Sequence, residues 1–242
     1  MIKIGEQVVI KNVRKVYRVG SEKVVALDDV SFSIDEGEVC CFLGTSGSGK
    51  STLLNLLAGL EKPTSGTIEI NGKVISKMNE KKISKFRQKH IGFIFQSYNL
   101  LPALTAVENV ALPLTFRGIT KSSRIKRSKD QLKKVGLGKH LKHKPTQMSG
   151  GQQQRVGIAR AFVSNPEIVF ADEPTGNLDS KTTKEIMGMM MEFVRENNRT
   201  MILVTHDKTI AEYADKVVYI LDGNIVKIEE NRNGRNTKDE TQ

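Results

Sequence analysis

Gly44-Thr45-Ser46-Gly47-Ser48-Gly49-Lys50-Ser51 carries more information than any other eight residues of this 242-residue sequence. It fits the pattern G-x-x-x-x-G-K-[ST] and lies between an apolar run, Val39-Cys40-Cys41-Phe42-Leu43, and a helix-like run from Ser51 to Leu60. Glycines at 44, 47 and 49 let the backbone curl so that several N–H groups face one point. A helix opening at Ser51 aims its positive end at the same point. That is what a phosphate requires. Lys50 is suited to bridging two phosphates of a nucleotide, the Ser51 hydroxyl to binding Mg²⁺, and Thr52 to adding a hydroxyl contact.

Downstream, the apolar run Ile168-Val169-Phe170-Ala171 ends at Asp172-Glu173. Carboxylates at the carboxyl end of a buried parallel strand sit beside the phosphate loop in an open α/β sheet. Asp172 is expected to hold Mg²⁺, and Glu173 to orient or deprotonate the attacking water. With the loop, these two acids make a site for hydrolysing ATP or GTP. Met201-Ile202-Leu203-Val204 and Ile91 to Phe95 read as further buried strands, with a helical stretch over Thr182–Glu196. Asn71-Gly72 and Asp222-Gly223 are hairpin signals, so an antiparallel part accompanies the parallel sheet. About Ser97 to Gly157 there are few strand-like runs, and the stretch reads as a helical subdomain inserted in the α/β core. The polar tail, residues 229–242, is expected to be disordered.

Apolar residues at 38% and charged residues at 27% give a globular balance and exclude collagen-like and low-complexity classes. The net charge of +11 is concentrated in two segments. Lys73–His90 holds seven Lys or Arg against one Glu, and Lys121–Lys144 holds ten against one Asp. The second could touch nucleic acid but lacks interleaved aromatics, and attraction to an anionic membrane face or plain solubility explains it as well. The longest uncharged stretch, Ile91–Val107, is short for a membrane span and is interrupted by polar residues. The N-terminal MIKIGEQ has no export-signal pattern, which points to a cytosolic chain. Cys40 and Cys41, adjacent in sequence, read as reduced core thiols, and the methionines at 187, 189, 190 and 191 as helix core filling.

Met148-Ser149-Gly150-Gly151-Gln152-Gln153-Gln154-Arg155 resembles the signature motif of ABC-type ATPases, usually LSGGQ, with Met148 where leucine is common. Gln96 looks like the Q-loop glutamine, and His206 looks like the switch histidine. Asn177-Leu178-Asp179-Ser180 resembles the D-loop, and Tyr17 matches the aromatic that stacks on adenine, although sheet surface alone would also suit it. The resemblance spans Val8 to Ile228, with every motif in the expected order. It implies an α/β fold, a P-loop NTPase (RecA-like) core with a parallel sheet, an antiparallel β part and an inserted helical subdomain, in one domain over residues 1–228.

The resemblance also implies roles. Gln96 would ligate Mg²⁺ or the attacking water, and His206 would lie near the γ-phosphate. Ser149, Gly150, Gly151, Gln152 and Asp179 would join Tyr17 and the loop residues Gly44 to Thr52 in binding ATP. In this family the signature of one subunit closes on the ATP held by the other. One phosphate loop and one signature therefore imply a second copy of the chain, or a paralogous partner. The sequence around Gln96 and Asp172 looks like the ATPase subunits of macrolide exporters and lipoprotein-releasing systems. Their partner is an integral membrane permease, with the ATPase peripheral on the inner face of the cell membrane. Leu100, Leu101, Leu104 and Val107 fit either docking to that permease or internal packing. The competing class is a soluble ABC ATPase acting on nucleic acid or ribosomes. No specific nucleic acid is expected, because the DNA-repair relatives carry long insertions and the translation relatives carry two ATPase units.

Overall fold

In the computed structural model, which describes residues 5–231, the elements follow the order the apolar runs suggest. The first half holds β1 (Glu6–Val19), β2 (Glu22–Asp35), β3 (Val39–Leu43), α1 (Lys50–Leu57), β4 (Ser65–Ile70), β5 (Lys73–Val74), α2 (Glu80–His90), β6 (Ile91–Phe95) and α3 (Ala106–Phe116). The second half holds α4 (Lys121–Lys134), α5 (Gly150–Phe162), β7 (Ile168–Asp172), α6 (Ser180–Glu196), β8 (Thr200–Thr205), α7 (Lys208–Ala211), β9 (Lys216–Leu221) and β10 (Asn224–Glu230). The chain forms two compact units, one of Lys85–Arg199 and one of the residues before and after that span.

In the discontinuous unit, β3 is buried at all five positions and β8 at all six. β3 pairs in parallel with β8 on one side and β9 on the other. A strand covered on both faces needs a continuous apolar run, which Val39 to Leu43 supplies. Cys40 and Cys41 are both fully buried and form no disulfide, and burial pushes the Cys40 thiol well up, so they pack as small apolar side chains. β10 joins β9 antiparallel through Asp222 (φ 46°) and Gly223 (φ 77°), and β4 joins β5 through Asn71 (φ 50°) and Gly72 (φ 72°). Two successive positive φ values are the signature of the type I′ turn that matches strand twist.

A second sheet, in the order β2-β1-β4-β5, is antiparallel throughout. Its long β1–β2 ladder shifts register near Asn12 and Asp29, both in left-handed backbone, where the Asn12 amide donates to Asp29 Oδ1 at 2.8 Å. Irregularities of this kind bend and twist a strand.

In the unit Lys85–Arg199, β6 and β7 run parallel, and α3, α4, α5 and α6 pack with them. The caps are written in the sequence. Thr105 and Glu108 form a capping box at α3, Ser149 and Gln152 another at α5, and Asp179 caps α6 through the Thr182 N–H. Asn109, fully buried on α3, accepts from the Leu101 N–H and donates to the carbonyls of Leu101, Leu104 and Thr105, fixing the loop ahead of its own helix. The α6 stripe buries Met187 and Met190 completely.

Some boundaries differ from expectation. α1 stops at Leu57 rather than Leu60, because Gly59 adopts φ 65° and ends the helix. Glu229 and Glu230, expected in the polar tail, belong to β10, where they pair with Val217 and Lys216. Residues 232–242 of that tail lie outside the described residues. The stretch expected as a helical insert, 97–157, contains α3, α4 and the first half of α5.

A buried ion pair locks the start of β3 to β9. Lys216 Nζ lies 2.8 Å from the Glu38 carboxylate, both nearly solvent-free, and Glu38 also accepts from the Asp35 N–H. Glu38→Ala leaves a buried ammonium without its partner and costs roughly 3 kcal/mol. Urea unfolding should show a lowered midpoint at unchanged slope, and Glu38→Leu combined with Lys216→Met should restore most of it.

Candidate functional site

The loop between β3 and α1 is shaped by its neighbours. A Cβ on Gly44 would lie 2.2 Å from the Ile220 carbonyl oxygen and 2.8 Å from Ser48 Oγ, so nothing larger than glycine fits. Gly47 (φ 80°) faces open space, and Gly49 (φ 103°) occupies the N-cap position of α1. The Gly223 N–H donates to the Ser48 carbonyl, so the β9–β10 turn supports the loop from below. Gly49 offers no side-chain cap, and the first turn of α1 carries no acid. The helix therefore presents its first N–H groups and its positive end without an internal anion. Ser48 is buried, and its hydroxyl is an unsatisfied polar atom among the described residues. Lys50 is almost wholly buried and reaches back to donate to the Thr45 carbonyl at 2.6 Å, so its ammonium is held inside the loop. Thr45, Ser46 and Ser51 are exposed around it. This cradle of donors fits a chain of phosphates.

Strand register brings His206 to the same place. Leu43 pairs with Thr205 across β3 and β8, so Gly44 and His206 are the next residue on each of two parallel neighbours. His206 is exposed, and Asp207 after it caps α7 through the Thr209 N–H. Tyr17, on β1, is half-buried. Its hydroxyl donates to Glu61 Oε2 at 2.7 Å, Lys15 Nζ stands 4.8 Å from its ring centroid, and it is hydrogen-bonded with the Thr52 side chain. Burial first, and then the Glu61 carboxylate, push the Tyr17 phenol up. Glu61 is pulled up by desolvation but held below its ordinary value by the hydrogen bonds from Tyr17 and Lys15. Glu61 orients the ring, and no sequence pattern announced it.

The unit Lys85–Arg199 holds a second set of residues. Phe95 pairs with Asp172 across β6 and β7, so Gln96 and Glu173 emerge side by side. Glu173 adopts φ 43°, an uncommon conformation for a side-chain-bearing residue and one that clusters at functional sites. The Asn177 amide donates to the Gln96 carbonyl at 3.1 Å, and Gly176 packs against the Gln96 amide. Asp179, fully exposed, is held below its ordinary value by the Thr182 hydroxyl and backbone N–H. Ser149 caps α5, so Gly150, Gly151 and Gln152 form its first turn, with Met148 buried behind them. The Tyr98 hydroxyl sits close over Gly150, and a Thr182 methyl over Gly151. Beside Gln96 runs an apolar groove lined by Phe93, Phe95, Leu112, Pro113 and Phe116, with Phe116 68% exposed. Leu101 is exposed, while Leu100, Leu104 and Val107 are half-buried. Sequence reading missed Arg160 and Gln154, whose polar groups bond backbone carbonyls, a partnership no spacing rule reports.

Among the described residues, no group of three or more His, Cys, Asp or Glu is arranged to hold a metal ion. The residues expected to bind Mg²⁺ are a hydroxyl (Ser51), an amide (Gln96) and one carboxylate (Asp172). All offer oxygen, the donor a hard cation prefers, and such a set suits Mg²⁺ that keeps waters and shares phosphate oxygens. The donor chemistry fits the ion.

A family model described as ABC transporter matches residues 27–176. An uncharacterised ABC transporter ATP-binding protein of Thermotoga maritima is 48% identical over 218 residues, 90% of this chain and 93% of that one. The macrolide export ATP-binding/permease protein MacB of a Shewanella strain is 44% identical over 89% of this chain and 33% of its own length. The solved ATP-binding cassette MJ0796 of Methanocaldococcus jannaschii is similar at TM-score 0.86 and 43% identity, covering 92% of this chain and 98% of that one. That structure is described as dimeric, in a post-hydrolysis state bound to ADP and Pi.

Gly44→Ala tests the phosphate cradle. The added methyl cannot share space with the Ile220 carbonyl, so the loop must move. ATP affinity should fall at least tenfold in equilibrium binding, while the far-ultraviolet circular dichroism stays that of the parent.

Proposed function

We infer how this chain, which belongs to the ABC transporter family and is an ATP-binding subunit with ATPase activity, divides the work of hydrolysis among its residues. The loop N–H groups from Gly44 to Thr52 and the Lys50 ammonium hold the phosphates, and Tyr17 stacks on the adenine. Ser51, Gln96 and Asp172 would hold Mg²⁺, which would neutralise charge on the phosphates. Glu173 accepts a proton from the attacking water as general base, Gln96 helps to orient that water, and His206 stabilises the charge that develops beyond it. The observation that carries the assignment is Glu173 itself. It is the first residue past a buried strand, in left-handed backbone, and strand register sets it beside Gln96.

The chain carries one phosphate loop and one signature turn, so each complete site takes Ser149, Gly150, Gly151, Gln152 and Asp179 from a second copy. The dimeric state of the MJ0796 cassette supports this reading. The MacB relative, matched over a third of its length and described as an ATP-binding/permease protein, supports a membrane permease as the partner of this ATPase. No helix among the described residues is long and apolar enough to cross a membrane. We assign the groove at Phe93, Phe95, Leu112, Pro113 and Phe116 to a helix of that permease, which keeps the ATPase peripheral on the membrane. ATP-driven closure of the two copies then powers export or transmits force through the permease.

Glu173→Gln keeps the side chain's size and removes its basicity. Steady-state hydrolysis should drop by about 10²-fold or more. On size-exclusion chromatography with ATP, the variant should run as a stable dimer that ADP does not support. Wild-type turnover by Glu173→Gln would falsify the base assignment.

A further inference from the structure

The loops that carry Gln96 and Glu173 are both tied to α5, the helix that begins at the signature turn. Arg160, near its far end, donates from Nη2 to the Tyr98 carbonyl at 2.7 Å and from Nη1 to the Asn99 carbonyl at 2.5 Å. Its guanidinium also lies 5.7 Å from the centroid of Phe95, the residue just before Gln96. One side chain therefore brackets Gln96 from both sides. The bracketed turn needs holding, because Tyr98 (φ 59°) and Asn99 (φ 47°) are consecutive left-handed residues with side chains. Burial lowers the Arg160 guanidinium to about 10, which still leaves it protonated and donating at neutral pH. Gln154, fully buried on the same helix, donates to the carbonyl of Pro174, the residue after Glu173. At the start of α5, the Tyr98 hydroxyl rests over Gly150, so the Gln96 loop touches the helix at both ends.

We propose that Arg160 and Gln154 are positioning residues, through which the signature helix sets the placement of Gln96 and of Glu173. A fork of N–H groups is needed at 160 because two carbonyls must be held at once beside an aromatic ring. A lysine ammonium is a single point charge and cannot span them. The proposal rests on the roles given above to Gln96 and Glu173. It adds that any displacement of α5, such as closure of the signature turn on a nucleotide, is carried to both catalytic loops.

The test compares Arg160→Lys, Gln96→Ala and the double variant of the full chain, by ATP turnover, ATP affinity and amide hydrogen exchange. Arg160→Lys should lower kcat about tenfold with ATP affinity within about twofold of the parent, since the phosphate loop is untouched. Exchange should quicken at residues 97–101 while β6 and α5 stay protected, and the double variant should turn over no more slowly than Gln96→Ala. A normal kcat in Arg160→Lys with a slow Gln96→Ala overturns this proposal alone. A normal kcat in Gln96→Ala overturns the role of Gln96 and the proposal with it. Losses that multiply in the double variant, or exchange that quickens throughout α5, reduce Arg160 to general packing and also overturn it. If Arg160→Lys does not fold, Gln154→Leu gives the parallel reading. Faster exchange confined to residues 175–178 with reduced kcat supports the proposal, and unchanged kcat rejects it.

Discussion

Four unsatisfied N–H groups at the start of an ordinary helix are the constraint around which this molecule is arranged. Most helices satisfy them with a serine, threonine or aspartate at the N-cap, as α3, α5 and α6 do here. α1 has glycine there instead, and no acid in its first turn. Water can fill these groups, but an anion arriving from outside also meets the positive end of the helix, and the surrounding structure is consistent with that. β3 has to be rigid and dry to fix where α1 begins, which accounts for its five buried residues and its two parallel neighbours. The turn after β9 has to press close, which leaves room only for glycine at 44.

Parallel register then distributes the remaining chemistry. When two parallel strands pair, the residues that leave their carboxyl ends leave together. Leu43 against Thr205 delivers Gly44 with His206, and Phe95 against Asp172 delivers Gln96 with Glu173. Two ladders, each set by apolar side chains, thus place one glycine and three polar side chains. The loops that follow are held by side chains reaching to backbone carbonyls, such as Asn109 to residues 101–105 and Asn177 to Gln96.

The strands written as continuous apolar runs were legible for that reason. β3 and β6 begin and end where the apolar runs do, and β7 and β8 extend them by one or two residues. The hairpins at Asn71-Gly72 and Asp222-Gly223 were legible because few dipeptides tolerate two left-handed residues. β1 and β2 were not, although each has fourteen residues. Their shifts near Asn12 and Asp29 break the alternation that marks a half-buried strand, and their outer faces carry charge. Among the site residues, those with a motif were readable, and those acting through backbone carbonyls were not. Tyr17 could be read as an aromatic position, but its anchoring by Glu61 spans 44 residues of chain and leaves no local trace.

The two cysteines give the phosphate-loop strand a chemical reporter of its own. They are the only thiols in the sequence, they stand next to each other on β3, and neither has any solvent exposure. An alkylating reagent meets them only when β3 leaves its neighbours. The rate of alkylation in excess reagent therefore counts openings of the strand on which the phosphate loop is mounted, without any engineered label. A nucleotide bound to that loop, as proposed above, would slow the count, and more so the further its concentration exceeds its Kd.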